Sequence, residues 1–246
     1  MGAPGDVAAE GAEAYERLGE LYDVWCASVD EDLAFYLAMC RDVEGPIIEL
    51  GVGSGRVAVE LLHEGHELIG LDGSPAMLAR ARARADEAGV GERLTLIEAD
   101  FRAPPPLPQV QRVIAPFRPF LHLRGDDERV ATLRAARELL APGGRLIFDV
   151  FEPTAADIRK THDRFVEREA GIYERARWDS VERTIELAVR ARGQLVTMRL
   201  EWRSAGEWRA LCEQAGLRVV RIFAGFEGQV LEGDLPGDHA FVCERA

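Results

Sequence analysis

The chain has 246 residues, 47% of them apolar and 30% charged, and a formal net charge of −13. That size and composition suit a globular protein with one large core, carrying at most an elaborated insertion, rather than a disordered chain. The negative charge argues against a nucleic-acid partner, because binding to a phosphate backbone draws on cationic side chains, and no apolar stretch approaches the roughly 18 residues that would call for a membrane.

The first dozen residues read as a loose tail without the basic-then-apolar order of a secretory signal, so a cytoplasmic location is expected. Helical periodicity predicts helices over Ala8–Trp25 and Glu31–Arg41, which must lie across the sheet that follows or over its edge. Short apolar runs then alternate with helical stretches. The predicted strands are Pro46–Leu50, Glu67–Leu71, Leu94–Glu98, Val110–Ala115 and Arg145–Val150, with helices at Arg56–Glu64, Ser74–Ala88 and Asp126–Leu140. Ser74 is placed to cap its helix and Pro75 to open it, and the glycines of "APGGR" to stop the helix ahead of the fifth strand. This β-α alternation predicts a doubly wound, Rossmann-like α/β fold with a mostly parallel sheet. The run "RARAR", Arg80 to Arg84, shares its helix with Asp86 and Glu87 and reads as a solvated face.

After the fifth strand the pattern changes to interleaved apolar and charged residues. Phe165–Arg203 predicts an insertion of two or three antiparallel strands, whose Tyr173, Arg177, Trp178, Arg190, Arg192, Met198 and Trp202 would roof a substrate pocket or make the contact of a homodimer. Ser204 and Glu207 form a capping box for a helix through Gln214. A strand at Leu217–Phe223 and an antiparallel last strand at about Ala240–Glu244 follow. The expected organisation is an N-terminal helical lid over 1–44, a binding core over 45–155, the β insertion over 156–203, and a completing helix and strands over 204–246. Cys26, Cys40, Cys212 and Cys243 lack the spacing of a disulfide framework or a zinc site, and His63 and His66 in "HEGH" lack that of a helical zinc hydrolase. No metal is expected.

The stretch Ile47 to Arg56, "IIELGVGSGR", sets Gly51, Gly53 and Gly55 between a strand and a helix, where bare backbone N–H groups and a helix N-terminus can approach a ligand. A dinucleotide fingerprint would need a glycine at Arg56, so NAD is disfavoured. Acidic residues instead mark three strand ends: Glu49, Asp72, and Glu98 with Asp100. Such an edge repels a pyrophosphate and suits a cationic ligand.

These segments, with "LIGLDGSPAML", "LIEADF" and "LLAPGGRLIFDV" in the same order, resemble the class I S-adenosylmethionine-dependent methyltransferases. The resemblance implies S-adenosylmethionine as cofactor and S-adenosylhomocysteine as product. It places Glu49 and the Gly51–Gly55 loop against the methionine part and ribose, Arg56 against the carboxylate, Asp72 on the ribose hydroxyls, Asp100 on the adenine amine and the Phe101 N–H on the ring. Gly73, Met77 and Pro116 belong to the same expected site. Each acid also has a plainer reading, as a strand-end charge, a turn former or a cap.

Methyl transfer from a sulfonium needs a base only if the acceptor arrives protonated. Ala115-Pro116-Phe117 lacks the Asn/Asp-Pro-Pro-Tyr/Phe motif that grips a planar amide nitrogen, which disfavours nucleic-acid bases and glutamine as acceptors. His122 is the loop's candidate base, with packing under the loop as its alternative. Tyr15, the "LYD" around Tyr22, and His122 followed by Leu123 are similar to the aminosugar N,N-dimethyltransferases. That similarity implies Tyr15 as a catalytic residue and Tyr22 as a lid residue over the cofactor. The expected activity is methylation of a nitrogen or oxygen of a small molecule; a cofactor-binding regulatory module and a peptide or protein methyltransferase are the alternatives.

Overall fold

The computed structural model describes residues 5–28 and 30–246, without the side chains of 5–10 and 20. Helix α1 (Gly5–Leu18) and α2 (Glu20–Trp25) are followed by α3 (Leu33–Cys40). The single predicted helix over Ala8–Trp25 is thus two, broken at Gly19, whose φ of +46° is a backbone conformation that favours glycine. The loose tail does not hold from Gly5 onward; residues 1–4 lie outside the described residues.

The core then runs β1 (Ile47–Leu50), α4 (Arg56–His63), β2 (Leu68–Asp72), α5 (Pro75–Glu87), β3 (Leu94–Glu98), β4 (Val110–Ala115), a short 3-10 turn at Pro119–His122, α6 (Gly125–Glu138) and β5 (Leu140–Glu152). Ser74 caps α5 as expected, its Oγ accepting from the Met77 N–H at 3.2 Å. Helix α6 stops two residues early, and "APGG" lies inside β5 instead of ending a helix. There the register with β4 slips between Val110 and Arg112, and a Cβ on Gly144 would stand 2.8 Å from the Val110 carbonyl. Only a glycine lets the two backbones come that close.

A helix absent from the sequence reading, α7 (Ala155–Thr161), follows β5. Its signal was present in the Thr154–Asp157 capping box, in which the Asp157 N–H donates to Thr154 Oγ at 3.1 Å and the Thr154 N–H to Asp157 Oδ2 at 2.9 Å. The insertion holds four strands rather than two or three: β6 (Val166–Glu169), β7 (Ile172–Asp179), β8 (Thr184–Ala191) and β9 (Gln194–Glu201), all antiparallel in sequential order. β6 is short and charged, which hid it from periodicity. The chain closes with α8 (Ala205–Gln214), its Ser204–Glu207 capping box formed as expected, β10 (Leu217–Ala224) and β11 (Gly237–Arg245).

The main sheet has the order β10-β11-β5-β4-β1-β2-β3, with β11 antiparallel to both neighbours. All four residues of β1 are buried, as a strand covered on both faces requires. One face packs Phe120, Phe148, Trp208 and Phe241 under α6 and α8; the other packs Phe35, Tyr36, Leu61 and Leu62 from α3 and α4. A third apolar seam joins Ala14, Leu18, Leu21 and Trp25 of α1 and α2 to Ile172, Val189, Val196 and Met198 of the inserted sheet. That sheet backs the N-terminal helices. No described helix is long and apolar enough to cross a membrane.

Arg129 of α6 ties the inserted sheet to the core. Fully buried, it donates to the Leu123 carbonyl at 2.9 Å and to Glu201 at the end of β9 at 3.2 Å, and its guanidinium lies 5.7 Å from the Trp208 ring centroid. Truncating a buried ion pair strands the remaining charge. Arg129→Ala is therefore expected to lower stability by about 3–5 kcal/mol in urea denaturation, far more than an exposed arginine would.

Candidate functional site

The carboxyl ends of β1, β2, β3 and β4 open into a cavity of about 360 Å³. Tyr15, Tyr22, Glu49, Gly51, Gly53, Arg56, Asp72, Gly73, Met77, Asp100, Phe101, Pro116 and His122 all line it. Gly55 is the exception among the candidate residues. It does not reach the cavity, and a Cβ there would lie 3.1 Å from the Ala81 Cβ, so its bareness serves the approach of α5.

Asp72 organises the glycine loop. Its two oxygens accept from the Gly53 and Ser74 N–H groups, each at 2.9 Å, and burial pushes its pKa up while those hydrogen bonds pull it back. Glu49 has no such relief. It is 2% exposed, and its Oε2 is buried with no partner among the described residues. Burial raises its pKa to about 8, against the pull of Arg56 and with the repulsion of Asp32 and Asp72 adding to the rise. Ser54 Oγ is a second unpartnered buried oxygen in the same wall. A buried carboxyl left over beside bare glycines is a receptor for a cationic hydrogen-bond donor.

Arg56 is committed from another direction. Asp32, buried at the start of α3, grips its guanidinium with two bonds of 2.6 Å, and the Phe117 ring centroid is 5.5 Å away. Its charge at the cavity is already paired, which leaves only its remaining donors for a ligand carboxylate. Asp100 is likewise paired with Arg102 at 2.7 Å.

Helix α1 covers the cavity with Gly11, Ala12 and Tyr15, and α2 adds Tyr22. Two clips hold these helices to α5. Glu16 accepts from Ser74 Oγ at 2.7 Å and from the Ala76 N–H at 2.9 Å, and Asp23 pairs with Arg80 and with Arg84, the latter at 2.9 Å. The "RARAR" run is thus not a solvated face: Arg80 and Arg84 hold α2, and Arg82 donates to the Gly91 and Leu94 carbonyls at 2.7 Å each. The Asp23 partner of Arg80 and Arg84 lies some sixty residues earlier in the chain, beyond local pattern.

Tyr15 and His122 meet, hydroxyl to Nε2, at 2.9 Å. Burial depresses the His122 pKa to about 4, with Arg124 adding to the depression, so the imidazole is neutral near pH 7. Burial also raises the Tyr15 hydroxyl well above its ordinary value. The pair therefore carries no charge.

Phe117 lines the cavity, though the sequence had not singled it out as a site residue. It and Arg118 both adopt positive φ, at 63° and 62°. Such consecutive left-handed residues cost strain that the surroundings must offset. Buried Asp149 of β5 does so, accepting from the Phe117 N–H at 2.8 Å and from the Tyr36 hydroxyl at 2.6 Å.

Residues 47–144 match a family model described as a methyltransferase domain. An uncharacterized methyltransferase of Geobacillus kaustophilus is 30% identical over 144 residues, 58% of this chain, and the match spans 64% of that protein's length. A glycine/sarcosine/dimethylglycine N-methyltransferase of Actinopolyspora halophila is 30% identical over 55% of this chain and 25% of its own. Among solved structures, the CcbJ methyltransferase from Streptomyces caelestis superposes with a TM-score of 0.82 at 27% identity, covering 95% of this chain and 98% of that one. The glycopeptide N-methyltransferase MtfA, solved with S-adenosyl-L-methionine, shares the fold at TM-score 0.62 and 20% identity, over 89% of this chain and 96% of its own.

Burial raises the Asp149 pKa from 3.8 to about 7, so this group holds its proton more tightly folded than unfolded. Its contribution to stability is present at low pH and is lost as pH rises through about 7. Asp149→Asn keeps an acceptor for both donors and should remove that pH slope, whereas Asp149→Ala should cost about 1–3 kcal/mol by leaving the Phe117 N–H unpaired and the Tyr36 hydroxyl with only the Ala115 carbonyl at 3.5 Å. Urea denaturation between pH 5 and about 8 measures both.

Proposed function

The chain belongs to the class I S-adenosylmethionine-dependent methyltransferases, and we propose that it transfers a methyl group to a nitrogen of a small-molecule metabolite. The cofactor supplies, when bound, a methyl group already activated on a sulfonium sulfur.

The residues around the cavity fit that cofactor. Glu49, with its leftover buried oxygen, would hold the amino group of the methionine part, and Gly51 and Gly53 would leave the backbone close to it. Asp72 would take the ribose hydroxyls with the oxygen lone pairs its two backbone bonds leave open. Asp100 and the Phe101 N–H would meet the adenine at the far end. Tyr15 and Tyr22 would close over it and exclude water, in a cavity whose glycine loop and clipped helices are formed in advance.

The observation that supports nitrogen as acceptor is the Tyr15–His122 pair. His122 lines the cavity, yet with its pKa pushed down to about 4 the imidazole is too weak a base to draw a proton from a hydroxyl or phenol. An amine in its neutral form attacks with its own lone pair and needs no such help. The names of the A. halophila relative and of MtfA, both N-methyltransferases, agree with this reading.

Two measurements test it. Because Glu49 is held near 8, binding S-adenosylhomocysteine should drive it to its ionised form and release a proton at pH 7, with affinity rising between pH 6 and about 8 and then levelling. Calorimetry in buffers of different ionisation enthalpy reads that proton, and Glu49→Gln should abolish it. With an amine acceptor, the kcat profile should show no ionisation near pH 6.5, and His122→Asn should lower kcat by less than about tenfold. A loss of several hundredfold would restore His122 as a base and point to oxygen. Intact cofactor binding without turnover on any amine, phenol or acid would leave a binding module, and labelled peptides would move the acceptor to a protein.

A further inference from the structure

Gly11 and His122 border a second cavity, of about 340 Å³, that draws no wall from the main sheet. Its other walls include Glu13 and Arg17 of α1, Arg124 ahead of α6, Glu186 of β8, and Thr197 and Arg199 of β9. Gly11 sits at the junction, where a Cβ would stand in ordinary contact, 3.6 Å, with His122 Nδ1. The inserted sheet therefore reaches the neutral Tyr15–His122 pair from one side, and the cofactor residues reach it from the other.

The charges of this cavity are unequally met. Glu186 is neutralised by Arg175 and Arg177, each at 3.2 Å, and Arg124 stands 4.0 Å from Glu201. Arg17 donates only to an uncharged acceptor, the Leu195 carbonyl at 3.1 Å. Arg199 makes no ion pair with any described residue, and neither does Glu13. Two guanidiniums against one carboxylate leave a local charge of +1 in a protein whose net charge is −13. A ligand with a net charge of −1 complements it.

We propose that this second cavity is the acceptor site and that the acceptor is an amine whose molecule also carries a carboxylate, the amine at the His122 and Gly11 end and the carboxylate between Arg17 and Arg199. This rests on the methyl transfer proposed above. In its reactive form, a neutral amine with one carboxylate, such a molecule has the charge the walls require. The nitrogen lone pair forms the new N–C bond as the methyl–sulfur bond breaks, and that bond's electron pair stays on sulfur to give a neutral thioether. The methylated ammonium then loses its proton to solvent.

The test uses the full chain with methyl-labelled S-adenosylmethionine and a bacterial metabolite extract, with products identified by mass spectrometry. The expected product is an N-methylated molecule bearing a carboxylate, whose carboxamide analogue is methylated with kcat/KM at least tenfold lower. Arg199→Met should raise KM for the acid at least tenfold while changing kcat by less than threefold and leaving S-adenosylhomocysteine affinity intact; Arg199→Lys should recover part of the loss. A labelled product without a carboxylate, equal use of acid and amide, or an Arg199→Met variant with unchanged KM would overturn the acceptor assignment while the methyltransferase reading stands. Intact S-adenosylhomocysteine binding with no labelled product at all would overturn both.

Discussion

Buried carboxyl groups at the ends of neighbouring strands are the constraint around which this fold is arranged. Glu49, Asp72 and Asp149 all lie at the carboxyl edge of the main sheet, and burial raises the pKa of each. Leaving such groups unpaired in a low-dielectric interior is costly, so each must find donors. Asp72 and Asp149 find them in the backbone of two loops, and in doing so they fix the glycine turn and the strained Phe117–Arg118 turn. Of these three, Glu49 alone keeps a buried oxygen without a partner among the described residues. Satisfied acids shape the cavity, and the unsatisfied one leaves a buried polar group in its wall.

Much of this was legible because its parts are local in the chain. A strand followed by bare glycines, an acid at the next strand end and another at the third are short-range signals, and parallel α/β topology brings strand ends to one edge without any further information. Where the reading failed, the deciding partner was far away. Arg80 and Arg84 look solvated until Asp23 is set beside them. Gly55 continued an alternation that suggested ligand contact, but Ala81 accounts for it. The fourth inserted strand, β6, is four residues long and carries three charges, too little pattern to register.

The inserted sheet has a mechanical part in the site. Its apolar face does not meet the cofactor cavity; it packs on α1 and α2 and holds them over the strand ends. Apolar contact on one side and, on the other, an ionic clip and a hydrogen-bonded carboxylate clip to α5 confine these helices between layers that differ in chemistry. Salt weakens the second kind of contact and leaves the first nearly untouched. The apolar seam is the attachment that persists at high ionic strength.

Helix α1 contributes residues to both cavities, with Gly11 common to the two. One helix that borders two chambers cannot shift at one without changing the walls of the other. Any shift of α1 is therefore felt in both chambers at once, and neither can be reshaped alone.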